Sequence, residues 1–184
     1  IFSGTGFSNR NNHKILGITK AYTTRVGAGP FPTELHDSIG DYLGEKGHEF
    51  GTVTKRKRRC GWFDSVLLKQ SIKLNGITDV VLTKLDVLDE LKEINICIRY
   101  DIEGEQYDFL PSEEFLYDKI KPIYKTINGW QTSTAGINNI RDLPNNAIRY
   151  INLLEELIEA RISIVSTGPD RKETIDINGI LTNI

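Results

Sequence analysis

The chain has 184 residues, is 39% hydrophobic and carries a formal net charge of −2. It can therefore bury one sizeable core, so one domain is the default, and its charge argues against a general polyanion binder, leaving any basic function to be local. No apolar stretch approaches a membrane span and no signal-peptide pattern is present.

In chain order, the sequence opens at Ile1, contains no Met, and enters a Gly/Ser/Asn-rich stretch from Ser3 to Asn12. That reads as the middle of a loop and leads us to expect a piece of a longer polypeptide. Ile15–Arg25 predicts a strand, and Val26–Pro32 a loop that cannot continue it. Thr33 or Glu34 is expected to open a helix with its body at Leu35–Leu43 and its end near Gly47. Gly51–Gly61 is polar, basic and expected to be exposed. Val66, Leu67, Ile72 and Leu74 fit a helix from about Phe63, stopped by Gly76. Asp79–Leu82 is a buried-strand pattern ending at Thr83. Ile94–Tyr100 and Gln106–Leu110, joined through Glu103-Gly104-Glu105, read as a β-hairpin. Leu143–Glu159 has helical spacing, with Pro144 where a first turn tolerates it. Ile162–Val165 is a second short buried strand. Strands alternating with helices indicate an α/β fold, a mostly parallel sheet with an antiparallel hairpin added.

Two cysteines, Cys60 and Cys97, are too few to staple a fold of this size, which suits a reducing compartment and a cytoplasmic protein. Cys97 lies in an apolar run and reads as core. Cys60 follows Arg58 and Arg59, which could lower its pKa, although a small packing residue is the simpler role. His13, His36 and His48 show no metal-ligand spacing, so no metal is assigned to them.

The first strand exit carries Thr83-Lys84-Leu85-Asp86, and loops at strand ends are where open α/β sheets bind ligands. An aspartate there can accept from both N1–H and the exocyclic amine of guanine. Adenine would leave the carboxylate desolvated and unpaired, at roughly 1–3 kcal/mol per neutral group and more for a charge. Lys84 could lay its methylene stem on the base and keep its ammonium in water. A charged turn after a core strand is the bland alternative. The second exit, Ser166-Thr167-Gly168-Pro169-Asp170-Arg171, offers backbone N–H groups and a Gly permitting close approach. Together the two loops could read opposite edges of guanine, N1/N2 from Asp86 and O6 from Ser166–Gly168; alone, the second is a Gly/Pro turn.

The third feature is Thr52-Val53-Thr54-Lys55-Arg56-Lys57-Arg58-Arg59, with five consecutive cations. If the segment is extended, side chains alternate, placing Thr54, Arg56 and Arg58 on one side. Two guanidinium forks beside a hydroxyl suit a dicarboxylate or a phosphate. A nucleic-acid contact is the competing reading. Gly51 and Gly61 bracket the run and Trp62-Phe63 anchors it, which suits a hinged lid.

Lys20–Glu34, Arg58–Asp64, Leu82–Asp86 and Ser166–Arg171 closely resemble signatures of the adenylosuccinate synthetases, in an order and spacing that run through nearly the whole chain. The resemblance corresponds to the C-terminal part of such an enzyme, whose fold is a P-loop-like, GTPase-related α/β architecture. It implies a GTP- and Mg²⁺-using ligase that phosphorylates the 6-oxygen of IMP and displaces that phosphate with the amino group of L-aspartate. By carry-over, Lys84, Leu85, Asp86, Ser166, Thr167 and Gly168 hold the guanine of GTP, with Arg58 reaching toward it. Thr52, Val53, Thr54, Lys55, Arg56, Lys57 and Arg58 form the aspartate loop, and Arg56, Val26 and Gly27 meet IMP. The resemblance further implies a homodimer. The phosphate-cradling loop, the catalytic acid and base and most Mg²⁺ contacts belong to a part not present, so no catalytic residue or metal ligand is assigned here. The family usually has Gly at the position of Lys55 and Thr at that of Val53, which puts loop closure in question. A guanine-nucleotide module without chemistry and a nucleic-acid binder working through Lys55–Arg59 stand as the other classes.

Overall fold

The computed structural model describes residues 14–51, 53 and 55–181. Its central sheet has the order β1 (Leu16–Lys20), β5 (Asp79–Thr83), β9 (Arg161–Ser166), β10 (Thr174–Asp176). The first three strands are parallel and β10 returns antiparallel. Val80, Leu82, Ile162, Ile164 and Val165 are all buried, as strands covered on both faces must be. Because β1, β5 and β9 run the same way, their C-terminal ends open on one edge. Lys20 pairs with Thr83 and Leu82 with Val165. That alignment puts the turn after β5 beside the turn after β9.

The expected first strand is broken in two. After β1 the chain turns at Ala21-Tyr22, both buried, then resumes as β2 (Thr23–Arg25), antiparallel to β3 (Arg59–Gly61). The break has a cause: Ala21 N–H donates to the Thr83 carbonyl, and the Ala21 carbonyl accepts from the Tyr150 hydroxyl. The first helix also begins later than expected. α1 spans Ser38–Lys46, capped by Asp37, whose carboxylate accepts from the N–H groups of Ile39 and Gly40. Thr33–Leu35 is instead held by β3, with Trp62 N–H donating to Thr33 O and Leu35 N–H to Cys60 O. Gly61 is required there, since a Cβ would lie 2.2 Å from the Thr33 carbonyl oxygen.

A short β4 (Phe63–Asp64) leads into α2 (Ser65–Asn75), so Phe63 precedes the helix it was expected to open. Asp64 caps α2 through Leu67 N–H, and Gly76 ends it in the left-handed conformation at φ 61°. The second sheet is built on β6 (Glu93–Ile102), which carries β4 and the short β7 (Glu105–Tyr107). The expected hairpin forms at Glu103-Gly104, but its return strand is only a stub. The long partner of β6 is β8 (Ile120–Asn128), antiparallel along its whole length, which no sequence pattern announced: Pro122 interrupts it and its exposure does not alternate cleanly. α3 (Asn145–Ile158) packs its apolar stripe, Ala147, Tyr150, Ile151, Leu154 and Ile158, into the main core with Pro144 at its N-cap. Cys60 and Cys97 are both buried and free. Burial raises the Cys60 thiol to about 11, opposite to a lowering by its arginine neighbours, so Cys60 is a packing residue. Among the described residues no helix is long and apolar enough to cross a membrane.

Candidate functional site

The turns after β5 and β9 meet. Thr83, Lys84, Asp86, Ser166, Gly168 and Pro169 line one cleft of about 350 Å³, closed on its far side by Lys46, Gly47 and His48. Asp86 sits in the 3₁₀ turn Leu85–Leu88, whose apolar members Leu85, Val87 and Leu88 are buried. That apolar footing leaves the half-buried Asp86 side chain at the cleft. Among the described residues no other side chain bonds its carboxylate. Burial, reinforced by Asp89 and Glu173, holds its pKa above the ordinary carboxylate value, against the pull of its own N–H and Lys84. The contrast with Asp89, one turn on, is instructive. Asp89 accepts from Trp130 Nε1 and from Thr134 N–H and Oγ1, each at 2.7 Å, and is therefore structural. Asp86 is the carboxylate left with acceptor capacity.

Two details of this cleft differ from expectation. The Lys84 side chain stays partly exposed, but its ammonium is not left to water alone: it donates to the Gly47 carbonyl and lies 3.3 Å from Glu49 Oε1. Lys84 also adopts a left-handed backbone, φ 62°, which aims the chain into the Asp86 turn at some conformational cost. In the second loop, Thr167 is fully buried, its N–H bonds Glu173 O and its hydroxyl donates to Ile137 O. Thr167 thus holds the loop and offers no backbone donor. Gly168 N–H makes no hydrogen bond among the described residues, and Ser166 Oγ donates to Gly168 O at 2.9 Å. Leu85 is wholly buried, so its side chain supports the turn from beneath.

The basic segment is a tight excursion between Glu49 and β3. Gly51 N–H bonds Arg56 O, Lys55 N–H bonds Gly51 O, and Arg58 N–H bonds Glu49 O. Thr52 and Thr54 lie outside the described residues; Val53 is 91% exposed. Lys55 has φ 54°, so the backbone is not uniformly extended and simple alternation fails at the tip. A positive angle of this kind suits Gly better than Lys, so Lys55 holds the tip at some conformational cost. Lys57 pairs with Asp41, Arg58 with Glu49 and Arg59 with Glu34. Arg59 also donates to the carbonyls of Gly27 and Gly29 at 2.9 and 2.7 Å, pinning the Val26–Pro32 loop. As a result Val26, Gly27, Arg25, Arg56 and Arg58 border a second recess of about 130 Å³. The residues assigned to IMP and those assigned to aspartate are therefore neighbours.

One residue at the centre of these loops carries no motif. Glu49 is 0% exposed. It accepts from Lys20 Nζ on both oxygens at 2.8 Å, from the Tyr22 hydroxyl at 2.6 Å and from Arg58 Nη1 at 2.8 Å. Burial alone would raise its carboxyl, but these donors outweigh it and bring the pKa down to about 2. The available signal was indirect: cations at Lys20, Lys84 and Arg58 converging on one sheet edge require a carboxylate among them.

A family model for adenylosuccinate synthetase matches residues 1–175. Among solved structures, the fully ligated adenylosuccinate synthetase of Plasmodium falciparum superposes with a TM-score of 0.89 and 41% sequence identity. That match covers 95% of this chain and 42% of the other, so the chain spans less than half the length of that relative. With the strand-end clefts, the loop signatures and the whole architecture in agreement, the chain belongs to the adenylosuccinate synthetase family.

Proposed function

We propose that these residues form the guanine- and aspartate-binding part of a GTP-dependent ligase that joins IMP and L-aspartate into adenylosuccinate, the committed step toward AMP. The observation that carries the reading is the cleft that Asp86 shares with Ser166 and Gly168, its carboxylate bonded by no other side chain among the described residues. In this reading Asp86 accepts from guanine N1–H and N2–H, while Gly168 N–H is available to O6. Arg56 and Arg58 bind the carboxylates of L-aspartate, and Arg56 with the Val26-Gly27 backbone lies along IMP. Phosphorylation of the 6-oxygen makes a leaving group that the aspartate amine displaces. The part of this chain is to hold both nucleotide and amino acid in register and to keep water away from the base. Among the described residues no group of three or more His, Cys, Asp or Glu side chains is arranged to hold a metal ion. We assign the phosphate cradle and the proton-transfer groups to the rest of the polypeptide, and place the complete enzyme, a homodimer, in the cytoplasm.

Asp86→Asn in the complete protein tests the base assignment. The amide presents one acceptor oxygen and sets an NH2 donor against a guanine N–H, so GTP affinity is expected to fall roughly ten- to a hundredfold, equivalent to about 1–3 kcal/mol. A xanthine nucleotide, whose N1–H and C2=O match an amide, is expected to gain. Titration of the variant with GTP, XTP and ATP decides the matter: unchanged preference removes Asp86 from the site.

A further inference from the structure

Glu49 joins the two candidate regions physically. It is anchored from the sheet side, by Lys20 on both oxygens and by the Tyr22 hydroxyl, so its position is set by elements that belong to neither loop. Onto this fixed anion come Arg58 from the basic segment, at 2.8 Å, and Lys84 from the purine-side turn, at 3.3 Å. Arg58 uses only Nη1 for the contact; among the described residues its Nε and Nη2 make no hydrogen bond, and Arg58 borders the recess with Val26, Gly27 and Arg56. Lys84, in turn, leads directly into the turn that carries Asp86. One carboxylate against Lys20, Arg58 and Lys84 also leaves surplus positive charge, so the cluster still attracts an anion after its internal pairing.

We propose that Glu49 is a positioning residue for both substrates at once. It holds Arg58 by one nitrogen with the rest of the fork left for the carboxylates of L-aspartate, and it holds Lys84 so that Asp86 meets the purine. This rests on the ligase reading and deepens it, since neither loop signature includes Glu49.

The test is steady-state kinetics on the complete protein with Glu49→Gln. The amide keeps the shape but loses the charge that fixes both cations. KM for GTP and KM for L-aspartate are each expected to rise about tenfold with kcat within about threefold, the signature of lost binding interactions. A residue that only supports the fold would lower the active fraction, and hence apparent kcat, while leaving both KM values where they were. Glu49→Asp keeps the charge but withdraws it by one methylene, about 1.5 Å, and is expected to show the same paired rise; it carries the test if the Gln variant does not fold. An unchanged KM for either substrate in a folded variant overturns the positioning role, and so does failure of both variants to fold. A wild-type protein that makes no adenylosuccinate from IMP, GTP and L-aspartate overturns the ligase reading itself, and this inference with it.

Discussion

Four acidic side chains show how little residue type alone decides. Asp86 lies in the 3₁₀ turn and Asp89 caps its end, yet Asp89 is consumed by Trp130 and Thr134 while Asp86 lines a cleft. Glu34 holds Arg59, and burial beside the guanidinium still leaves its carboxyl below the usual range because the Arg59 hydrogen bonds dominate. Glu49, buried among cations, is held ionised, its pKa brought down to about 2 by the donors of Lys20, Tyr22 and Arg58. Its pKa lies below the unfolded value of 4.5, so its contribution to stability is complete above that value and lost as pH falls toward the folded one. Urea unfolding from about pH 5 to about pH 3 is expected to show the gap between wild type and Glu49→Gln closing as the pH drops. Asp86 has the opposite sign: its pKa is raised, so its ionised form costs stability and protonation relieves that cost.

At the scale of elements, local chemistry decided the ends and tertiary pairing decided the middles. Gly76 was readable as the stop of α2 and ends it with φ 61°. Gly76→Ala forces a Cβ into that conformation at roughly 1–2 kcal/mol, and the denaturant midpoint is expected to fall with an unchanged m-value. The late start of α1 was less legible. Thr33 and Glu34 are reasonable helix openers, but β3 takes their backbone groups first, and Asp37 then caps the helix. β8 has no hydrophobic period of its own; its residues answer to β6. The basic run between Gly51 and Gly61 reads as an exposed, hinged segment, and the fold ties Lys57, Arg58 and Arg59 within it to Asp41, Glu49 and Glu34.

That internal pairing matters for the molecule as a whole. In a chain of net charge −2, with Lys57, Arg58 and Arg59 held in ion pairs, the positive charge that is left forms a local patch suited to a small anion and too small to displace many counterions from a polyanion. Anisotropy titration with a short DNA duplex at physiological salt is expected to show binding no tighter than about 10⁻⁴ M, the weak end of non-specific association. Tight, steeply salt-dependent binding would revive the nucleic-acid reading of Lys55–Arg59. The same compactness explains why the site lies where it does. Three parallel strands bring Lys20, Thr83 and Ser166 to one edge, and every loop that bears a signature leaves from that edge or is tied to it.

What could be read from the linear chain was whatever depends on neighbours in sequence: the buried strands β5 and β9, the glycine stop of α2, the acidic turn Thr83–Asp86, the Gly-bearing turn at Ser166–Gly168, and the signatures of the family. What needed the folded molecule was the fate of each polar group. Whether Asp86 or Asp89 is free, whether Lys84 reaches water or Glu49, and whether Thr167 N–H is available all depend on partners supplied by distant segments. A buried donor or acceptor must find such a partner or suffer desolvation, and sequence spacing does not say which one comes within reach.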